Sequence, residues 1–171
     1  MLNKINFFLI SLKATINHPL NRKKRVRAMF TFLFWQIRLR VLKQKRIFAW
    51  LFDAKFYYDL FDFGVLGNLW SGLDEFESMS FLINVMREDD LLIDIGSNSG
   101  IYTILSSKVI GSKTFAYEPN KKCFKKLTKN VSLNSIQEKV TAKRIAISHS
   151  SGERYFSKNL DTLGRFSDKE E

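Results

Sequence analysis

The sequence predicts an α/β fold built around a parallel sheet. From residue 91 onward, apolar stretches of strand length alternate three times with helical stretches, and two glycines follow the first apolar stretch closely. Strands joined by helical crossovers run parallel, because each crossover returns the chain to the same edge of the sheet. With 171 residues, 45% of them hydrophobic, the chain is long enough for one well-buried domain and an appendage.

The first fifty residues carry the positive charge of the chain. They hold twelve Lys and Arg residues, and the first acidic residue is Asp53, so the remainder is near neutral although the net charge is +11. Residues 22–51 lack Gly and Pro and place apolar residues at helical spacing, which predicts one or two cationic amphipathic helices. Three interpretations remain open: a helix packed on the domain, peripheral contact with an anionic membrane, and, with least support, nucleic-acid binding.

Nothing in the sequence predicts export or a membrane span. No small-residue cleavage site follows the apolar stretch near the N-terminus, and no window reaches the ~18 to 20 apolar residues that a span requires. The single cysteine, Cys123, excludes an intramolecular disulfide, and the two distant histidines give no support to a metal site. We expect a cytoplasmic protein, with peripheral contact at the inner face of the membrane as the open alternative.

The elements are predicted in three segments. Residues 1–52 form a basic helical leader, and residues 53–90 hold short strands over 55–70 followed by a helix from Asp74, as N-cap, to about Arg87. The third segment, residues 91–171, is the α/β domain. In it we predict strands at Leu91–Ile95, Thr114–Glu118, Val140–Ile147 and Arg154–Ser157, and helices from about Ser99 to Lys108 and from the N-cap Asn120 to about Leu133.

The loop from Asp94 to Gly100, together with Glu118, predicts a nucleoside-cofactor site. Ligands of open α/β sheets bind beyond the carboxyl ends of the strands, where Gly96 and Glu118 fall. Gly96 gives the backbone room to turn, Gly100 lets strand and helix approach each other, and Glu118 lies where an acid accepts hydrogen bonds from ribose hydroxyls. Asp94 can orient the loop and face a cationic group of the cofactor.

The glycine spacing discriminates between cofactors. The pattern Gly96-x-x-x-Gly100 lacks the three glycines of the pyrophosphate fingerprint, and no P-loop motif occurs, which disfavours NAD, FAD and nucleoside triphosphates. S-adenosylmethionine carries a neutral adenosine that needs close backbone contact rather than phosphate neutralisation. The spacing therefore favours S-adenosylmethionine.

Several segments resemble the FkbM-type S-adenosylmethionine-dependent methyltransferases. They are IDIGSNSGIYT (93–103), AYEPN (116–120), NVSLN (130–134) and AIS (146–148), with HPLN (18–21), FWQI (34–37) and WSGLDEF (70–76) resembling the leader of a bacterial branch. The resemblance covers about residues 18–166, and the glycine loop is its most specific part, although Ser97 stands where the family often has alanine. It implies methyl transfer to a hydroxyl of a sugar, glycolipid or related natural product.

The resemblance also implies a Rossmann-like class I methyltransferase sheet. This chain would hold its first three parallel strands and a short following strand. Family members continue with further strands, so we expect a form truncated at the C-terminus.

The cofactor-binding residues expected from the motif and the resemblance are Asp94, Gly96, Ser97, Asn98, Gly100, Tyr102, Glu118, Pro119 and Ala146. No catalytic residue is assigned, because the only local candidate base, His149, is more simply a surface residue. A small-molecule or glycan acceptor is expected. Two alternatives to an enzyme stay open: a non-catalytic remnant with a partial cofactor cleft, and a basic lipid- or RNA-binding module on an α/β scaffold.

Overall fold

The computed structural model describes residues 4–41, 47–58 and 63–149, with Gly152, Tyr155–Phe156 and Phe166–Ser167. The helices are α1 (Lys4–Asn17), α2 (Arg25–Val41), α3 (Phe63–Ser71), α4 (Phe76–Val85), α5 (Ile101–Ile104, continued by π-helical turns over Leu105–Ile110) and α6 (Lys121–Leu133), with 3₁₀ turns at Pro19–Lys24 and Leu51–Asp53. The strands are β1 (Ile47–Ala49), β2 (Lys55–Tyr57), β3 (Leu91–Ile95), β4 (Lys113–Tyr117), β5 (Val140–Lys143), β6 (Tyr155–Phe156) and β7 (Phe166–Ser167).

A three-stranded parallel sheet forms the centre of the fold. Its order is β3-β4-β5, with Asp94 beside Ala116 and Ala116 beside Ala142. This order and sense are those of one half of a doubly wound sheet, in which each successive strand is added on the same side. The predicted α/β class with a parallel sheet is therefore confirmed.

The two faces of the sheet differ. On one face, Thr114 and Ala116 are buried where α5, its π-helical continuation and α6 pack on the strands. On the other face, Leu91, Ile93 and Ile95 remain exposed, although strands of a parallel sheet are ordinarily buried on both sides. Among the described residues, helices therefore cover one face of β3, and the face that carries Leu91, Ile93 and Ile95 is exposed.

The residues before the sheet belong to the same apolar core. Phe48 of β1 and Phe56 of β2 stack with their ring centroids 5.7 Å apart, and both are buried in a cluster that also contains Leu127 and Ile136. This cluster crosses the expected boundary between residues 53–90 and 91–171. The three-segment division itself stays a prediction. No helix among the described residues is both long and apolar enough to cross a membrane.

Asn130 of α6 and Asn134, the C-cap of that helix, attach the β1–β2 hairpin to the sheet domain. The Oδ1 atoms of Asn130 and Asn134 accept hydrogen bonds from the backbone N–H groups of Tyr57 and Lys55, both at 2.8 Å, and Asn134 Nδ2 donates to Lys55 O at 2.7 Å. The spacings match, because four helical residues rise about 6 Å and two strand residues about 6.6 Å. The two amides therefore pair with the edge of β2 as a neighbouring strand would.

Buried hydroxyls join the π-helical turns to β4. Thr114 Oγ1 lies 2.9 Å from Ser106 Oγ and 2.8 Å from Ser107 Oγ, and Ser106 Oγ lies 2.6 Å from Ser112 Oγ. Gly111 N donates to Ser106 O, five residues back, which is the wider π-helical turn. All four hydroxyl groups are buried, and they satisfy one another's hydrogen bonds, with Ser112 Oγ also 3.2 Å from Ser106 O.

The strand predicted within residues 64–70 is wrong, because these residues form α3. Val65, Leu66, Gly67 and Asn68 are all buried, so the helix has no exposed polar face that would reveal a helical period in the sequence. A Cβ atom on Gly67 would meet the side chain of Asp74. The glycine permits close packing and marks no turn. The predicted helix over 22–51 is correct for Arg25–Val41 but wrong for Ile47–Ala49, which is β1.

Three further elements differ from the sequence prediction in their bounds or their pairing. α4 begins at Phe76 and has no side-chain cap, so Asp74 is not its N-cap, and it ends at Val85. β5 stops at Lys143 instead of Ile147. The strand predicted over 154–157 is confirmed at Tyr155–Phe156, while Arg154 and Ser157 lie outside the described residues. This strand pairs antiparallel with Phe166–Ser167 and does not extend the parallel sheet.

We predict that Thr114→Val lowers the free energy of unfolding by about 1 to 3 kcal/mol, because it removes the partner of the buried Ser107 hydroxyl and one of the two hydroxyl partners of Ser106. Urea unfolding measures the change. Thr141→Val, at an exposed position of β5, is the matched control and should stay within about 0.5 kcal/mol of the parent. Equal stability of the two variants would contradict the role given to the hydroxyl cluster.

Candidate cofactor-binding site

The loop after β3 has three residues in left-handed backbone conformations. Gly96 has a φ of 77°, Asn98 of 48° and Gly100 of 90°, a region that glycine occupies without steric cost. The backbone N–H groups of Gly96 and Ser97 both donate to Tyr117 O, at 2.9 and 3.1 Å. The loop is thereby fixed at the carboxyl ends of β3 and β4.

The two glycines of the loop have different surroundings. A Cβ atom at Gly100 would lie 2.6 Å from Leu127 Cδ1, whereas one at Gly96 would meet nothing within 4 Å. Gly100 therefore marks the point where α6 packs against the loop. Gly96 borders open space at the sheet edge, where a ligand could approach the backbone.

Glu118 links the loops that follow β3 and β4. Its buried carboxylate accepts a hydrogen bond from Asn98 N at Oε2 (2.8 Å) and another from Asn120 N at Oε1 (2.7 Å). A carboxylate oxygen can accept two hydrogen bonds, so each oxygen retains acceptor capacity. The structure thus brings Glu118 to the glycine loop, as the sequence spacing predicts.

Asp94 lies on the helix-covered face of the sheet. Its Oδ2 atom accepts a hydrogen bond from Thr103 Oγ1 of α5 at 2.6 Å. Burial raises the pKa of Asp94, the hydrogen bonds from Thr103 oppose that change, and the charge of Glu118 adds to it. A cation beside these two carboxylates would therefore be stabilised.

Ser97 carries an unsatisfied polar atom at the centre of the loop. Its Oγ atom is buried and has no hydrogen-bond partner among the described residues. Buried hydroxyls in folded proteins nearly always have a partner. A polar atom of a bound ligand would complete this site.

Asn130 also supports the loop, a role that the sequence analysis missed. Its Nδ2 atom donates to Ser99 O at 2.8 Å, while its Oδ1 atom accepts from Tyr57 N. The residue thus connects the glycine loop with the β1–β2 hairpin. The available signal was the spacing of four residues in NVSLN, which places Asn130 and Asn134 on one side of a helix.

Tyr102 contacts an acid that the sequence analysis also left without a role. Its hydroxyl donates to Glu75 Oε2 at 2.5 Å, across from the turn that precedes α4. Burial, followed by the hydrogen bond and the charge of Glu75, raises the pKa of Tyr102 to about 12. A third carboxylate therefore lies near the start of α5, and its position in WSGLDEF was the only sequence signal.

The remaining expected site residues lie at the edge of this arrangement. Pro119 is half-buried between Glu118 and Asn120, and Ala146 is half-buried three residues beyond the end of β5. His149 is exposed. Within the described ranges, no three His, Cys, Asp or Glu side chains are grouped closely enough to hold a metal ion.

We predict different costs for alanine at the two loop glycines. Gly96→Ala should lower the free energy of unfolding by about 1 to 2 kcal/mol, the cost of a left-handed conformation. Gly100→Ala should lower it by about 2 to 5 kcal/mol, because overpacking against Leu127 adds to that cost. Chemical denaturation measures the free energy of unfolding of both variants. Equal losses of stability would contradict the close approach of α6 at Gly100.

We predict that Tyr102 ionises only near pH 12. The folded state holds this proton more tightly than the unfolded chain, so the stabilisation is complete below about pH 10 and is lost as the pH rises toward about 12. The difference in tyrosinate absorbance between the parent and Tyr102→Phe measures the pKa.

Glu75→Gln should bring the pKa of Tyr102 back toward 10, because it removes the negative charge beside the phenol. Glu77→Gln, at an exposed position of α4, is the control and should leave the titration unchanged. A shift as large in the control would exclude a specific contact with Glu75.

Comparison with known proteins finds partial similarities. No protein-family model matches the chain. A ribosomal protein L11 methyltransferase from Exiguobacterium sibiricum is 28% identical over 61 residues, which are 36% of this chain and 19% of that protein.

Among solved structures, P. horikoshii TYW2 in complex with MeSAdo aligns with a TM-score of 0.47 and 17% identity, over 62% of this chain and 38% of that chain. An RNA methyltransferase from Salinibacter ruber in complex with S-adenosyl-L-homocysteine aligns with a TM-score of 0.37 and 26% identity, over 41% and 45% of the two chains. The chain spans less than half the length of each of these three proteins. Its similarity in sequence is to a methyltransferase, over about a third of its own length.

Proposed function

We propose that the protein is an S-adenosylmethionine-dependent methyltransferase that binds its cofactor at the carboxyl edge of the parallel sheet. The observation that carries the proposal is the buried carboxylate of Glu118, held by one backbone N–H from each of two adjacent loops. Such a carboxylate is fixed in place and still able to accept hydrogen bonds from ribose hydroxyls. The similarity to a methyltransferase over 61 residues supports the same assignment.

The surrounding residues fit this cofactor. The open space at Gly96 allows close approach to the backbone, and the unpartnered Ser97 hydroxyl offers a polar contact. S-adenosylmethionine carries a sulfonium and an ammonium group, and Asp94 and Glu75 place carboxylates near the loop to stabilise positive charge. When bound, the cofactor supplies an activated methyl group for in-line displacement. The proposed binding residues are those expected from the sequence, with Glu75 added.

The contribution of this chain to the reaction is positioning. Methyl transfer requires mainly that the acceptor oxygen and the methyl carbon be held at near-attack distance, and a general base helps when the acceptor is a hydroxyl of high pKa. The hydrogen bonds of Glu118 and Asp94 orient the loop in which Ser97 lies. We assign no catalytic residue, because His149 is exposed and Glu75 already accepts a hydrogen bond from the Tyr102 hydroxyl.

We further propose FkbM-type O-methylation, with a hydroxyl of a sugar, glycolipid or related natural product as acceptor. The support is the resemblance of the segments at 93–103, 116–120 and 130–134 to that family. For a glycolipid acceptor, we propose a cytoplasmic enzyme with peripheral contact at the inner face of the membrane. RNA and ribosomal protein, which the names of similar proteins mention, are the acceptors against which this proposal is tested.

Calorimetric titration with S-adenosyl-L-homocysteine tests the cofactor site. We predict that the parent binds and that Glu118→Gln weakens binding about tenfold or more, because a charge-assisted hydrogen bond contributes about 1.5 to 3 kcal/mol. Glu138→Gln, at an exposed residue before β5, is the matched control and should bind like the parent. An absence of binding heat with the folded parent would overturn the assignment.

Transfer of a labelled methyl group tests the reaction. The acceptors are a cell-envelope glycolipid extract, ribosomal RNA and ribosomal protein, each with the parent and with Glu118→Gln. Incorporation into the glycolipid fraction alone supports the proposed acceptor, and incorporation into RNA or protein alone overturns it. Cofactor binding without transfer to any acceptor would favour the non-catalytic remnant.

A further inference from the structure

We infer that one face of α2 is a docking surface for an anionic membrane. The face, called here the α2 stripe, consists of five apolar residues that are exposed to 67%, 62%, 56%, 64% and 69% of their full area: Val26, Phe30, Phe34, Ile37 and Val41. This inference goes beyond the proposed methyl transfer and does not depend on it. Isolated apolar residues on a surface are ordinary, whereas a contiguous patch indicates an interaction site.

The α2 stripe is continuous along the helix. At about 100° per residue its five positions fall within an arc of about 80°, and they extend over about 22 Å of helix length. The apolar face with which a surface helix packs on a core typically spans about 100° or more, and the arc of the stripe approaches that width. The stripe therefore has the form of a binding face, not of scattered exposed residues.

The side of α2 opposite the stripe packs on the rest of the molecule. Ala28 and Phe32 are buried, and the Phe32 ring contacts Phe8 of α1 and Trp70 of α3, each at 5.2 Å between centroids. This face holds the helix on the rest of the molecule. The stripe, lying roughly opposite, is directed away from it.

Positive charge lies along one side of the stripe and before its first residue. Arg27 and Arg38 follow it along one side of the helix, and four consecutive cations precede it at positions 22–25, all of them exposed. The first acidic residue of the chain is Asp53. The guanidinium of Arg38 lies 5.1 Å from the Trp35 ring centroid, an aromatic–cation pair of the kind that suits the membrane–water interface.

The combination of cations and exposed apolar side chains favours an anionic membrane over RNA or a second copy of the chain. An interfacial helix inserts its apolar side chains at the boundary of the acyl chains while its cations attract anionic headgroups, each contributing about 1 kcal/mol near the surface. RNA would pair with the cations but would leave Val26, Ile37 and Val41 in water, because base stacking requires aromatic rings. A second copy of the chain would bring like charges together across a two-fold axis. An anionic membrane satisfies both the apolar and the cationic residues.

Vesicle flotation of the full chain tests the inference. The probes are phosphatidylcholine vesicles and vesicles in which about one third of the lipid is phosphatidylglycerol. We expect flotation with the anionic vesicles only, weakened when sodium chloride is raised from about 0.1 M to about 0.5 M. Failure to float with anionic vesicles, or equal flotation with both, overturns the inference.

Paired variants identify the surface. Phe30→Asn combined with Phe34→Asn should reduce partitioning into anionic vesicles at least about tenfold, because two aromatic side chains no longer enter the interface. The matched control changes Phe81 and Val85 of α4 to Asn, which are exposed to 62% and 53%, and should partition like the parent. Far-ultraviolet circular dichroism confirms that both variants are folded.

Two results would contradict the role of the α2 stripe. One is equal loss of partitioning in the α4 control, which would show a general effect of surface hydrophobicity. The other is that the protein binds a single-stranded RNA oligonucleotide more tightly than it binds vesicles. If Arg27→Gln/Arg38→Gln abolished this RNA binding and Phe30→Asn/Phe34→Asn retained it, the cations would be assigned to RNA.

Discussion

The hydrogen bonds of Glu118 are the interaction on which the described fold depends. One carboxylate oxygen holds Asn98 of the glycine loop, which leads into α5, and the other holds Asn120, which leads into α6. Asn120 in turn caps α6, because its side chain accepts hydrogen bonds from the N–H groups of Lys122 and Cys123. One buried acid therefore sets the starting points of both helices that cover the sheet.

The hydrogen bonds of Glu118 also influence residues outside the sheet, because the helix that begins after Asn120, α6, contacts them. Leu127 packs against Gly100, and Asn130 bonds both the glycine loop and the β1–β2 hairpin. The residues that shape the candidate site are thus the residues that assemble the domain. Stability and ligand binding should be coupled here, since a ligand that contacts Glu118 or Ser97 stabilises the same loop that holds the helices together.

Charge is distributed between two surfaces with opposite character. Carboxylates gather around the glycine loop, at Glu75, Asp94 and Glu118, while positive charge is concentrated in the first fifty residues. The first surface suits a small cationic ligand and the second a large anionic one.

The sequence by itself determined the features that depend on local chemistry. β3, the glycine loop, the position of Glu118 and the Asn120 cap were all predicted, because each rests on a residue's own conformational or hydrogen-bonding preference. The spacing of Asp94 and Glu118 was sufficient to place both acids near the carboxyl edge of a parallel sheet.

Tertiary structure decided the rest, through contacts between distant residues. α3 is buried on several sides and so shows no polar period, and β1 is a short strand that exists because it pairs with β2. The contact of Tyr102 with Glu75 joins residues 27 positions apart, and that of Asn134 with Lys55 joins residues 79 apart. Such contacts leave little trace in local sequence, because they depend on how the elements pack and not on the preferences of either residue.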